Sequence, residues 1–206
     1  MRKQLTTING SITSIESSVP FGFFVYALDS QCETENNDSS ALSRTKKFDE
    51  IFDKRYWGFK ESRSGGGSTL EGAFDWIRHL RSLFYHLPIR SVADVPCGDT
   101  YWQFSLQEIN TIEQVYFGGD ISRKVIEQNR RLYQSSHRNK IFQVWDIVRC
   151  PIPTFTFKNE THELKDNRFD LVMVRDALQH MHIHNGLKAL STCSTVVKKS
   201  AIAGKE

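Results

Sequence analysis

The sequence predicts an α/β fold built on an open, mostly parallel sheet. Three observations predict it. From residue 46 onward, apolar runs of strand length alternate with stretches of helical periodicity. The runs are almost continuously apolar, which suits strands covered on both faces. Each run ends in acidic or other polar residues, and in open α/β sheets the carboxyl ends of the strands face the ligand.

The 206 residues are 39% hydrophobic and 25% charged, enough to bury a core without disulfides or a structural metal. Cysteines at 32, 97, 150 and 193 include no C-x-x-C pair and suggest no disulfide framework. No run reaches the roughly 18 to 20 apolar residues that cross a bilayer. The longest, residues 19–28, follows a polar stretch and precedes no clean small-residue cleavage site. A cytoplasmic chain is therefore expected. A secretory lumen is the alternative, and there the sequons at Asn9, Asn37 and Asn159 would matter. A net charge of +3 is too mild to predict nucleic-acid binding.

Residues 1–45 are rich in Ser, Thr and Asn and read as a disordered tail, while residues 46–206 read as the domain. Phe48, Ile51, Phe52, Arg55 and Tyr56 fall at helical spacing. A glycine- and serine-rich loop follows. Ser68-Thr-Leu-Glu71 has the form of a capping box, so a helix is expected from there to Pro88, with Leu70, Ala73, Phe74, Ile77, Leu80, Phe84 and Leu87 on one face. Residues 91–95 form the first strand and residues 114–119 the second, which ends in Asp120. Ser122 caps a helix carrying Val125, Ile126, Asn129 and Leu132. Residues 140–145 form the third strand, ending in Asp146, and residues 169–174 the fourth, ending in Arg175 and Asp176. A last helix runs over residues 186–199, with Leu187, Leu190 and Val197 on one face.

The strand ends carry the chemistry. Asp120 stands 22 residues after Gly98, where a carboxylate can accept hydrogen bonds from both ribose hydroxyls of an adenine nucleoside. On position alone a turn aspartate explains it equally well. Asp94-Val-Pro-Cys-Gly-Asp99 lacks the glycines of a pyrophosphate loop, and its two carboxylates would repel a pyrophosphate. They suit a ligand with a cationic amino acid end, S-adenosylmethionine rather than a dinucleotide.

Four stretches now carry a resemblance: Trp57-Gly-Phe-Lys-Glu-Ser-Arg-Ser-Gly-Gly-Gly-Ser68, Asp94-Val-Pro-Cys-Gly-Asp99, Gly118-Gly-Asp-Ile121 and Arg175-Asp-Ala-Leu-Gln-His180. In this order the chain resembles a class I S-adenosylmethionine-dependent methyltransferase with a Rossmann-like sheet, over residues 48–199. The resemblance implies strand order 3-2-1-4. It implies that Asp94, Cys97 and Gly98 line the methionine part of the cofactor, with Asp99 and Trp102 close by. Asp120 and Ile121 would hold the ribose and adenine, and Asp146 and Ile147 would sit by the adenine amino group. Arg175, Asp176 and His180 would face the sulfonium and the acceptor, with Asp176 and His180 as the catalytic pair. The loop of residues 64–68 could close over the cofactor.

The implied reaction is methyl transfer to oxygen or nitrogen of a small-molecule or glycan acceptor, with no nucleic acid and no membrane span. Asp176 and His180 lie four apart and would share a helical face. Either could take a proton. His180-Met-His-Ile-His184 invites a metal reading, but alternate histidines on a turn more often face solvent, and no metal is assigned. Family domains carry seven strands, and this chain reads as stopping where the fifth begins. A truncated domain is expected, with the fourth strand an open edge prone to self-association. The alternative function is a non-catalytic product that binds cofactor weakly or not at all.

Overall fold

The computed structural model describes residues 25–29, 39–57, 59–134, 139–158, 163–164, 168–194 and 202–203. The sequons and Val197 lie outside them. The five-stranded main sheet has the order β4-β3-β2-β7-β8. Its strands are β2 (Ser91–Asp94), β3 (Val115–Asp120), β4 (Lys140–Val144), β7 (Leu171–Met173) and β8 (Ile202–Ala203). All neighbours in it run parallel. The four predicted strands are thus β2, β3, β4 and β7, in the expected order 3-2-1-4.

Alternation along the strands splits the core in two. Ala93, Val115, Phe117 and Val172 face one cluster, which takes in Phe155, Ala189 and Cys193. Val92, Tyr116, Leu171 and Met173 face the other, with Leu80, Ile109 and Ile126. The first face is covered by α5 (Ile183–Ser194), and the second by α2 (Phe74–His86), α3 (Gln107–Asn110) and α4 (Arg123–Asn129). Both faces are buried, which is why the strands read as unbroken apolar runs.

Several expectations change. Helix α1 spans Ser39–Lys54, so it begins inside the stretch read as tail. Its early turns are held because Arg44 reaches Asp146. Strand β1 (Val25–Asp29) also lies in that stretch, and pairs antiparallel with β5 (Thr154–Lys158). With β6 (Glu163–Leu164), they make a small sheet of order β1-β5-β6. The capping box does not form. Residues Gly66–Ser68 make a 3-10 turn, and α2 starts only at Phe74, with no side-chain cap. The Thr69 hydroxyl takes the loop's hydrogen bonds instead, donating to the Gly66 carbonyl and accepting from the Gly72 N–H.

After α4, the chain continues as a π turn, Arg130–Gln134, which leaves Leu132 exposed. In α5 the described residues Gly186, Ala189 and Cys193 are buried, and Leu187 faces solvent. The edge of β7, expected open, is paired at Val172 and Met173 by β8, so it offers no free ladder there for self-association. Cys150 takes part in a disulfide, against the expectation of none, whereas Cys97 and Cys193 are free.

Candidate functional site

A cavity of about 480 Å³ opens beyond the carboxyl ends of β2, β3, β4 and β7, with α1 along one side. Its size suits a ligand of nucleoside scale.

The floor is the turn after β2. Pro96 follows a cis peptide bond, and Gly98 has a φ of 57°. A Cβ on Gly98 would come within 2.7 Å of the Ser64 hydroxyl, so the left-handed turn and the close approach both demand glycine. Cys97 is buried beside it, and burial pushes its thiol well above the usual range, which argues against a nucleophile. Trp102 closes the floor.

Asp94 and Asp99, both expected at the cofactor, stand behind this turn and do not line the cavity. Asp94 Oδ2 accepts hydrogen bonds from Tyr116 Oη (2.7 Å) and Gln103 Nε2 (2.8 Å). Burial lifts its carboxyl to about 7. Asp99 accepts from Ser62 Oγ at 3.0 Å and the Arg63 N–H at 2.7 Å, while its own N–H donates to Ser64 Oγ at 2.8 Å. Asp94 therefore fixes the strand end, and Asp99 pins the loop of residues 62–64 against Gly98.

Asp120 ends β3 on the cavity wall. Its Oδ2 accepts the Gly98 N–H at 3.0 Å and its Oδ1 the Ser122 N–H at 2.9 Å. Burial raises its carboxyl to about 6, against the lowering effect of those two bonds. Each oxygen keeps a second lone-pair direction for a ligand hydroxyl. Ser122 caps α4 as expected, accepting the Val125 N–H, and its hydroxyl donates to Asp49 of α1 at 2.6 Å. Ile121, Ile147 and Val148 add apolar surface beside Asp120. Asp146 is buried and paired with Arg44 Nη2 at 2.6 Å, and its Oδ1 accepts the Val148 N–H at 3.0 Å.

Across the cavity lies the segment after β7. The Arg175 guanidinium donates to the carbonyls of Gly67 (2.7 Å) and Gly72 (3.1 Å), and lies over the rings of Trp102 and Trp76. It ties the glycine loop to the sheet. Asp176 has a φ of 51°. Its Oδ1 accepts from Gln179 Nε2, and its Oδ2 lies 3.2 Å from Arg175 Nη2 without hydrogen-bond alignment. His180 ends a 3-10 turn, Leu178–His180, and stands exposed at the rim. Asp176 and His180 both line the cavity, but they reach it from a bend and a turn, not from one α-helical face as expected.

Cys97, Gly98, Trp102, Asp120, Ile121, Asp146, Ile147 and Arg175 are thus brought together with Asp176 and His180. The sequence reading missed the α1 side of the cavity, from Ser43 and Arg44 to Phe48, Ile51 and Phe52, and also missed Arg63. The apolar i, i+3, i+4 pattern at Phe48, Ile51 and Phe52 was its available signal. No group of three metal-ligating side chains occurs among the described residues, and no helix there is long and apolar enough to cross a membrane.

A family model described as a methyltransferase domain matches residues 93–203, more than half of the chain. Among curated proteins, none matches the sequence significantly. Among solved structures, the chain is similar to the magnesium protoporphyrin IX methyltransferase of Synechocystis PCC 6803 with bound SAM. The TM-score is 0.51 at 15% identity, over 80% of this chain and 75% of that one. It is also similar to phosphoethanolamine N-methyltransferase 1 of Haemonchus contortus, in complex with phosphoethanolamine and S-adenosylhomocysteine. There the TM-score is 0.51 at 17% identity, over 81% of this chain and 33% of that one. Likeness at this level is likeness of fold.

Proposed function

The chain belongs to the methyltransferase domain family, of the class I S-adenosylmethionine-dependent kind, and on that premise we propose that it transfers a methyl group to an oxygen or nitrogen of a small-molecule or glycan acceptor. The observation that carries the reading is Asp120, a carboxylate held by the Gly98 and Ser122 N–H groups on the wall of a cavity at the strand ends.

The donor set fits S-adenosylmethionine. Asp120 has acceptor capacity left for two neighbouring hydroxyls of a ribose. Ile121, Ile147 and Val148 offer apolar surface to a flat base. Gly98 leaves open the space that a Cβ would fill. When bound, the cofactor supplies a methyl group already activated by its sulfonium. The chain's own residues then position and exclude water. Trp102 and Cys97 shield the floor. Asp176 lines the cavity, with its Oδ2 buried against Arg175 Nη2. His180, unlike Asp176, is bound by no ion pair among the described residues. Its imidazole accepts the proton of an oxygen nucleophile.

The non-catalytic alternative is not favoured, because the cavity keeps both its Asp120 wall and its Asp176–His180 wall. The disulfide at Cys150 supports an oxidising secretory lumen over the cytoplasm expected first.

Calorimetric titration with S-adenosylhomocysteine, with NAD as control, tests the cofactor reading. We expect micromolar binding of the first and none of the second. A folded chain that binds neither overturns it.

A further inference from the structure

The main sheet has two edges. Strand β8 covers β7 at one of them. The other edge is β4, whose partner among the described strands is β3 alone. The odd-numbered residues here turn their backbone groups toward β3. The Asn139 carbonyl accepts the Tyr116 N–H, and the Trp145 N–H donates to the Asp120 carbonyl. Alternate residues of a parallel strand face alternate neighbours, so Lys140, Phe142 and Val144 present their N–H and C=O groups outward.

Such an edge is a template for another strand, and proteins blunt it with proline, charge or a cover. Lys140-Ile-Phe-Gln-Val144 has no proline and no acidic residue. Its one charge is withdrawn from the edge, because Lys140 is fully buried and its Nζ donates to the Asn110 carbonyl at 3.1 Å. The cover comes from elsewhere. Arg130 Nε donates to the Phe142 carbonyl at 2.8 Å, and the Phe142 N–H donates to Gln134 Oε1 at 3.1 Å. Both outward groups of the central residue are thus occupied. Arg130 and Gln134 are the first and last residues of the π turn after α4, a rare geometry that this pairing explains. Val144 differs. It borders a surface pocket of about 220 Å³ shared with Arg123, Ile126, Glu127 and Arg130, and among the described residues no side chain bonds its backbone.

We infer that Arg130 and Gln134 close the β4 edge against strand addition by a second copy of this chain. The pairing they exclude is β4 laid antiparallel on its own copy, about a two-fold axis through Phe142. That register sets Phe142 opposite Phe142 and Lys140 opposite Val144. Its central pair of bonds needs the Phe142 N–H and carbonyl, the two groups that the π turn takes. The inference is independent of the cofactor reading.

Amide hydrogen exchange and sedimentation on the full chain test it, with thermal melts to confirm folding. Wild type is compared with the pair Arg130→Ala and Gln134→Ala, and with the pair Arg130→Lys and Gln134→Glu, which keeps a donor and an acceptor. In wild type the Phe142 amide, corrected for its intrinsic rate, should exchange about 2- to 10-fold more slowly than the Val144 amide on the same edge, at any protein concentration. The alanine pair should lose that difference when dilute. On concentration it should gain a dimer in which the Phe142 and Val144 amides are both protected, and the Lys and Glu pair should lack that dimer. The inference is overturned if Phe142 and Val144 exchange alike in wild type. It is also overturned if the folded alanine pair gains no association over wild type, or associates with these two amides still unprotected. Should the alanine pair fail to fold, the wild-type comparison of the two amides decides.

Discussion

Replacing Asp120 by Asn alters the hydrogen-bonding chemistry of one group and almost nothing of its shape. In the native chain, Oδ1 accepts the Ser122 N–H and Oδ2 the Gly98 N–H. An amide has one acceptor oxygen, so whichever way it turns its NH2 meets a backbone N–H. One buried donor is orphaned, at about 1–3 kcal/mol. The loss is offset, because burial holds the native carboxyl at about 6 and the ionised form is therefore costly in the fold. Stability should change little. Ligand binding should change much more. A hydrogen bond to a charged acceptor contributes about 1.5–3 kcal/mol, so losing one from a ribose hydroxyl weakens binding by about 10- to 150-fold. Calorimetry with S-adenosylhomocysteine near neutral pH, beside a thermal melt, reads both numbers. A Kd within about threefold of wild type, less than 1 kcal/mol, would refute the assignment of Asp120 to the ribose.

Three further outcomes are expected. Protonation of Asp120 removes an acceptor, so affinity for S-adenosylhomocysteine should fall as pH drops through about 6 and be level above it; titrations that show no trend there would count against the role. Stability should run the opposite way. Between the ordinary carboxyl value of 3.8 and the folded values of about 6 for Asp120 and about 7 for Asp94, the folded chain holds protons that the unfolded chain has released. The contribution of these groups to unfolding free energy therefore falls as pH rises through that window and flattens above it, which urea melts on either side can check. Gly72→Ala would drive a Cβ into the Gly66 backbone carbonyl, an atom that cannot swing away. We expect a loss of about 1–3 kcal/mol, read as a Tm lower by about 2–4 °C per kcal/mol; an unchanged Tm would mean that the loop is not tightly packed.

The sheet was legible because burial on both faces leaves a local mark. Leu171, Val172 and Met173 are all apolar since alternate residues enter different cores. The strand-end residues Asp120 and Asp146 followed from the same runs. What escaped depends on contacts distant in sequence. Nothing near Ser39 announces that Arg44 will find Asp146, 102 residues away. Strands β1 and β5 pair across an even greater separation, and nothing in either run names its partner. Ser68 and Glu71 had the spacing of a capping box, but the close approach of Gly66 and Gly72 turned the chain before a helix could start. Asp94 and Asp99 have the residue type of ligand contacts. Only the three-dimensional structure shows Asp94 Oδ2 taken up by Tyr116 and Gln103, and the Asp99 carboxylate by Ser62 and Arg63.

Helix α1 is fastened to the rest of the molecule by polar contacts, Arg44 to Asp146, Asp49 to Ser122, and Asp53 to Lys124 at 3.7 Å. Its apolar residues Phe48, Ile51 and Phe52 turn toward the cavity. The helix therefore has a hydrophobic stripe that borders the ligand space, with Phe52 already buried under the Arg63 guanidinium. A bound nucleoside becomes, in effect, part of the interior on which α1 folds. Occupancy would then stabilise the folded chain by RT ln(1 + [L]/Kd), and the helix that walls the cavity would share in that gain.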